Sequence, residues 1–154
     1  MKKIFQIILG ISFLFVLVGC SSQETATFTR KTDNAEFFVI YTYDKNKDTV
    51  SKLKIESTES AEISAGRKEN EEIFETLKGI DGVVTSITEK DGKLISSVEI
   101  DLTKNKFSTL KNSDNVFISG LIRNGYLSGD GENALFSKSK EAPIKQGFKE
   151  QTKK

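Results

Sequence analysis

The stretch Val83-Val84-Thr85-Ser86-Ile87-Thr88-Glu89-Lys90-Asp91-Gly92-Lys93-Leu94-Ile95-Ser96-Ser97-Val98-Glu99-Ile100-Asp101-Leu102 decides the fold. Asp-Gly is the strongest short signal for a two-residue hairpin loop, because both central positions need φ > 0. Placing Lys90 opposite Lys93 pairs Val83 with Ile100, Thr85 with Val98 and Ile87 with Ser96. Val83, Ile87, Leu94, Val98, Ile100 and Leu102 then share one face of an antiparallel ribbon. A slip of one residue would turn that set to solvent.

Upstream, Arg67–Lys78 reads as a helix, since Ile73, Phe74, Leu77 and Ile80 follow helical spacing. Glu69, Glu71 and Glu72 crowd its start, Lys78 closes it, and Gly79 suits a left-handed cap. Further upstream, Ala35–Tyr43 is rich in aromatic and β-branched residues, Thr49–Ser60 alternates, and the polar Asp44–Asp48 lies between them. A two-residue loop at Asn46-Lys47 pairs Ile40 with Leu53 and Phe38 with Ile55 on the core face. Residues 21–34 are polar and read as a tether, with a short strand at Ala26–Arg30.

Downstream, Thr103 can cap a short helix through Asn112, with Phe107 and Leu110 turned inward. Asn115–Ile122 reads as a strand on its β-branched content. Gly125–Gly131 reads as a turn-rich connection, and Asn133–Gln146 as a weak helix interrupted by Pro143, with Phe148 packing back. The expected fold is α+β: an antiparallel sheet built from hairpins with two or three helices on it, in the order β-β-α-β-β-α-β-α.

The first twenty residues read as an address. Lys2 and Lys3 precede the apolar Ile4–Val18, which is shorter than the roughly 20 residues a membrane-spanning helix needs. Leu17-Val18-Gly19-Cys20 then meets the polar Ser21-Ser22-Gln23. A basic start, a short apolar run and a small residue before the cut make a secretory signal. The Leu-x-Gly-Cys ending resembles the bacterial lipobox, in which the cysteine is acylated and becomes the new N-terminus. Cys20 is the chain's single cysteine. The expected organisation is a signal peptide over 1–19, a lipidated tether over 20–34 and one α+β domain over 35–154. The lipid on Cys20 would hold the protein on the outward face of a bacterial membrane. Ser21 would permit the outer membrane in a two-membrane cell.

Composition narrows the chemistry. The chain has no His, so the commonest general base and metal ligand is missing. Without Lys2 and Lys3 the basic side chains number 21 against 22 acidic ones, which lacks the cationic excess of a nucleic-acid binder. Asp44-x-Asn46-x-Asp48 spells the start of a calcium loop, but Thr49 stands where the sharp turn requires Gly, so a plain turn is the better reading. The glutamates of the helix suit a solvated face better than a metal site, and no cofactor is expected. Gly125–Gly131 lacks the Lys-Ser/Thr of a phosphate loop.

One candidate interaction face remains. With Phe38 and Ile40 toward the core, Phe37, Val39, Tyr41 and Tyr43 face the other way, opposite Val50, Lys52 and Lys54. Such a face would either be covered by another segment or bind an envelope protein. Three functions follow: a non-enzymatic binding or accessory module, a small-ligand or ion binder using the glycine loop or a sheet–helix cleft, and a hydrolase working with carboxylates alone.

The chain also resembles the YehR-like family of small bacterial lipoproteins, from about Phe37 to Glu150. The matching pieces are Thr42-Tyr43 before a lysine-bearing turn, Gly79-Ile80-Asp81-Gly82-Val83, Val98-Glu99-Ile100-Asp101 running into Thr103-Lys104, and Gln146-Gly147-Phe148-Lys149-Glu150. The resemblance implies an α+β fold with an antiparallel sheet and no catalytic residues to carry over. The longer first turn, Glu62-Ile63 before the helix, and Pro143 depart from the family pattern.

Overall fold

The structure is a computed structural model that describes residues 22–62 and 64–151. The expected signal peptide and Cys20 lie outside the described residues. Among the described residues, eight strands and five helices follow one another: β1 (Gln23–Lys31), β2 (Ala35–Asp44), β3 (Thr49–Ser60), α1 (Ser64–Leu77), β4 (Val83–Lys90), β5 (Lys93–Asp101), α2 (Phe107–Leu110), α3 (Val116–Arg123), β6 (Gly129–Asp130), β7 (Asn133–Ala134), α4 (Phe136–Ser139), α5 (Glu141–Lys145) and β8 (Lys149–Glu150). Six strands make one sheet in the order β4-β5-β3-β2-β1-β8, antiparallel throughout, and β6-β7 form a small separate ribbon.

The β4–β5 hairpin has the expected register, with Val83 opposite Ile100 and Lys90 opposite Lys93. Asp91 and Gly92 both take positive φ, 52° and 70°, as a tight mirror-image turn requires. Leu94, Val98, Ile100 and Leu102 are buried. Gly82, which feeds the hairpin, has φ 73°, and a Cβ there would meet the Asp101 carbonyl at 2.8 Å, so only glycine fits.

The short strand expected at Ala26–Arg30 is present and longer than expected, in a segment otherwise read as tether. Residues 23–31 form a full strand paired with β2 along its whole length, so the domain starts before Ala35. Ala26 and Phe28 point into the core, while Thr25, Thr27 and Thr29, which alternate with them, face outward. A polar composition therefore served a strand whose one buried side needs only two apolar residues.

The β2–β3 hairpin also departs from expectation. Near the turn, Tyr43 pairs with Val50 as the two-residue loop requires. Between Thr42 and Tyr43 the register shifts, leaving Ser51 as an extra residue on β3. Beyond this bulge Val39 pairs with Ile55 and Tyr41 with Leu53. One extra residue inverts the face of everything past it.

Asn115–Ile122 is helical rather than extended. The Asn115 Oδ1 accepts from the amides of Phe117 and Ile118 at 3.0 and 3.1 Å, capping α3. Ile118 and Leu121 turn into the core with the helical spacing of three. Helix α1 starts about one turn earlier than its glutamates suggested, so they lie past the first turn, where the dipole gives acid little help. Phe107 and Leu110 of α2 are buried as expected. Pro143 lies inside α5, and Phe148 packs back on the core.

Helix side chains and one sheet face share a single core: Phe28, Val39, Tyr41, Leu53, Val98 and Ile100 meet Phe74, Leu77, Phe107, Leu110, Ile118, Leu121 and Phe136. Asn70 of α1 donates to the buried Ser96 hydroxyl at 3.0 Å, tying that helix over β5.

Candidate functional site

The expected aromatic face is the core face. Tyr41 is 0 % exposed and Val39 2 %. The Tyr41 ring stands edge-on to Phe28 and Phe136, with centroids 6.0 and 5.7 Å away. Its hydroxyl faces the Tyr126 and Ser139 carbonyls at 2.9 and 3.2 Å. Tyr43 stacks on Phe136 at 3.7 Å and donates to a Glu24 carboxylate oxygen at 3.0 Å. Phe37 lies under the Arg30 guanidinium, which also covers Phe148. Val39 and Tyr41 are thus closed off, and Phe37 and Tyr43 pack part-buried against the same core, with the Ser51 bulge as the reason. Lys52 and Lys54 do project outward, paired with Glu99 at 3.1 Å and Glu56 at 2.7 Å. Phe38 and Ile40 lie on that outer face too, half-buried among neighbouring strands, and Val84, three strands away on β4, is 63 % exposed.

All three tyrosines of the chain hold their protons more tightly than the usual value of 10.0. Burial is the main cause at each, joined at Tyr43 by the Glu24 carboxylate. A raised folded value means that stability is fully present below pH 10 and is lost as pH rises beyond it. Tyrosinate absorbance should therefore rise at higher pH than for free tyrosine, and the last of the rise should accompany loss of the near-ultraviolet circular dichroism. A separate titration of all three at the ordinary value, with the fold intact, would contradict the packing described.

Both carboxylates of the calcium-like triplet have structural work. Asp44 accepts from the Ser22 hydroxyl at 2.6 Å and from the amides of Asn46 and Lys47, which holds its carboxyl below the usual range, the Ser22 bond contributing most. Asp48 accepts from the amide and hydroxyl of Ser137, and its carbonyl accepts from the Phe136 amide. Among the described residues, no three acidic side chains cluster tightly enough to hold a metal ion. In the glycine loop, the amides of Tyr126 and Ser128 already donate, to the Leu121 carbonyl and the Ser139 hydroxyl.

A different site emerges between α1 and α3. Glu69, Glu72, Ile73 and Thr76 from one helix and Val116 and Phe117 from the other line a cleft of about 500 Å³. Its apolar side chains are not closed over: Val116 is 80 % exposed and Ile73 36 %. Asn115 sets the spacing, because the side chain that caps α3 also donates to the Thr76 carbonyl at 2.8 Å. Two glutamates stand on the rim. Lys68 approaches Glu72 only at 3.9 Å with both largely exposed, a contact that neutralises little. The sequence signal for this cleft was Asn115 before Phe117, Ile118, Leu121 and Ile122, a cap followed by helical spacing. Ile73 was readable only as one more core position.

An antiparallel sheet with helices packed on one face and an acidic-rimmed apolar cleft between two of them defines a small α+β domain. The chain belongs to the family described as "Protein of unknown function (DUF1307)", which matches residues 24–140. It is 31 % identical over 157 residues to an uncharacterized lipoprotein of Listeria monocytogenes, covering 94 % of this chain and 96 % of the relative. A Listeria innocua lipoprotein, also uncharacterized, is 32 % identical over 155 residues, at 92 % and 94 % coverage. In fold the chain is similar to the E. coli YehR protein, with TM-score 0.62 and 23 % identity over 84 % of this chain and 91 % of that one. A Streptococcus pneumoniae protein gives TM-score 0.60 at 13 % identity, over 98 % and 96 %. The YehR-like resemblance and the α+β antiparallel fold therefore hold. Among the described residues no helix is long and apolar enough to cross a membrane.

Proposed function

We propose that this protein is a lipid-anchored, non-enzymatic binding module of the bacterial envelope, acylated on Cys20 and engaging a polypeptide partner through the α1–α3 cleft. The observation that carries the reading is the apolar lining of the exposed Ile73 and Val116 and the half-buried Phe117, beside Glu69 and Glu72. Exposed apolar surface framed by charge is what a docking site needs. The acidic rim selects a segment with apolar side chains flanked by lysine or arginine. The lipobox-like Leu17-Val18-Gly19-Cys20 and the lipoprotein names of both Listeria relatives support the anchor.

Site-specific photo-crosslinking in living cells tests the cleft. A crosslinking residue at Val116 should give a discrete adduct that one at Lys90, on the far turn, does not. Reversing the rim with Glu69→Lys and Glu72→Lys should abolish that adduct while leaving the melting temperature within a few degrees. An adduct indifferent to the reversal, or none at all, contradicts the reading.

A further inference from the structure

We infer that the acylated N-terminus seats the protein end-on against the bilayer, with the β2–β3 turn at the headgroups and the Asp91-Gly92 turn pointing away. The inference rests on acylation of Cys20 as proposed above and adds an orientation to it.

The leash is very short. The Ser22 hydroxyl donates to the Asp44 carboxylate at 2.6 Å, and the Ser22 carbonyl accepts from the Lys45 amide at 2.9 Å. The chain is thus fixed to the sheet two residues after Cys20. Two residues span at most about 7 Å even fully extended. The acyl chains enter the bilayer from that cysteine, so the sheet end holding Ser22, Asp44 and Lys45 cannot leave the headgroup region.

The same sheet end contains the start of β3, the end of β5 and the start of β4. The opposite end, at Asp91-Gly92, stands about 26 Å away along the eight residues of β4. A flat posture on the outer sheet face is disfavoured. That face carries the Lys52–Glu99 and Lys54–Glu56 ion pairs, and pressing them into lipid would strip their water without improving their pairing.

The contact needs no anionic lipid. Lys45 at this end is matched by Glu24 at 3.1 Å, and Asp44, Asp48 and Asp101 lie alongside Lys47 and Lys104. Neutral phosphatidylcholine should therefore suffice, and salt should not release the contact. End-on seating leaves the outer sheet face and the α1–α3 cleft open sideways to a neighbouring envelope protein.

The test uses the mature, acylated full chain in phosphatidylcholine vesicles containing a headgroup nitroxide lipid. One fluorophore is attached at Lys47→Cys or at Asp91→Cys, the Cys20 thiol being consumed by acylation. Quenching should be several-fold greater at position 47 than at 91, and unchanged by high salt. Eight Gly/Ser residues inserted after Ser21 should relieve the quenching at 47 while vesicle binding persists. Equal quenching at both positions, or no relief by the insertion, overturns the orientation while leaving the anchor standing. A chain that carries no acyl group and floats free of vesicles overturns both.

Discussion

Tyr41→Ala should lower the stability of the fold by about 3–5 kcal/mol, the range for emptying a buried aromatic site. The ring is fully enclosed between Phe28 and Phe136, so neither strand nor helix can close the gap without moving the sheet away from α4. Domains of this kind have only about 5–15 kcal/mol in total, so the variant should lose a large part of it. Tyr41→Phe separates the two contributions. It keeps the ring but leaves the Tyr126 and Ser139 carbonyls without this donor, at a cost of about 1–3 kcal/mol. Urea denaturation of both variants checks the order. A near-neutral Tyr41→Ala would return the residue to the outer face and refute the register set by the bulge.

Cys20→Ala should abolish acyl labelling of the protein altogether while leaving the melting temperature of the folded domain unchanged. Each buried CH₂ of a lipid chain contributes about 0.8 kcal/mol of membrane affinity, so two chains hold a domain that has no spanning helix among the described residues. The sheet, by contrast, begins after that position and uses Ser22 and Asp44 to secure β1. Metabolic labelling with palmitate, followed by denaturation of the isolated domain, measures both halves. Persistent labelling of the variant would move the anchor elsewhere; a large drop in melting temperature would give Cys20 a role in the fold.

Much of the fold was readable because local and long-range preferences agreed. Asp91-Gly92 sits between strands whose alternation has one consistent face, and α1 shows helical spacing up to Gly79, whose φ is 80°. Elsewhere the preferences diverged. In β3, Val50 and Leu53 are both buried although three positions apart, which straight alternation cannot produce. That spacing is the mark of the Ser51 bulge, and it was visible in the sequence. Reading through it placed Phe37, Val39, Tyr41 and Tyr43 on the wrong side. In α3, Val116, Ile118 and Ile122 are β-branched and argued for a strand, until the Asn115 cap and packing against the core prevailed. The cleft was hidden for the same reason, since it needs α3 to be a helix beside α1.

The N-terminal strand carries a different lesson. Thr25, Thr27 and Thr29 made residues 21–34 look like solvent-facing leash, yet threonine suits a half-buried strand. Pairing with β2 on one side and β8 on the other turns that segment into sheet. The fifteen-residue tether expected over 20–34 therefore gives way to sheet from Gln23 onward.

Mass spectrometry of the N-terminal peptide from membrane-extracted mature protein shows whether Cys20 is the lipid anchor. The expected peptide begins at Cys20 and its mass includes a diacylglyceryl group. A free thiol at Cys20, or a peptide that still begins at Met1, would contradict that anchor.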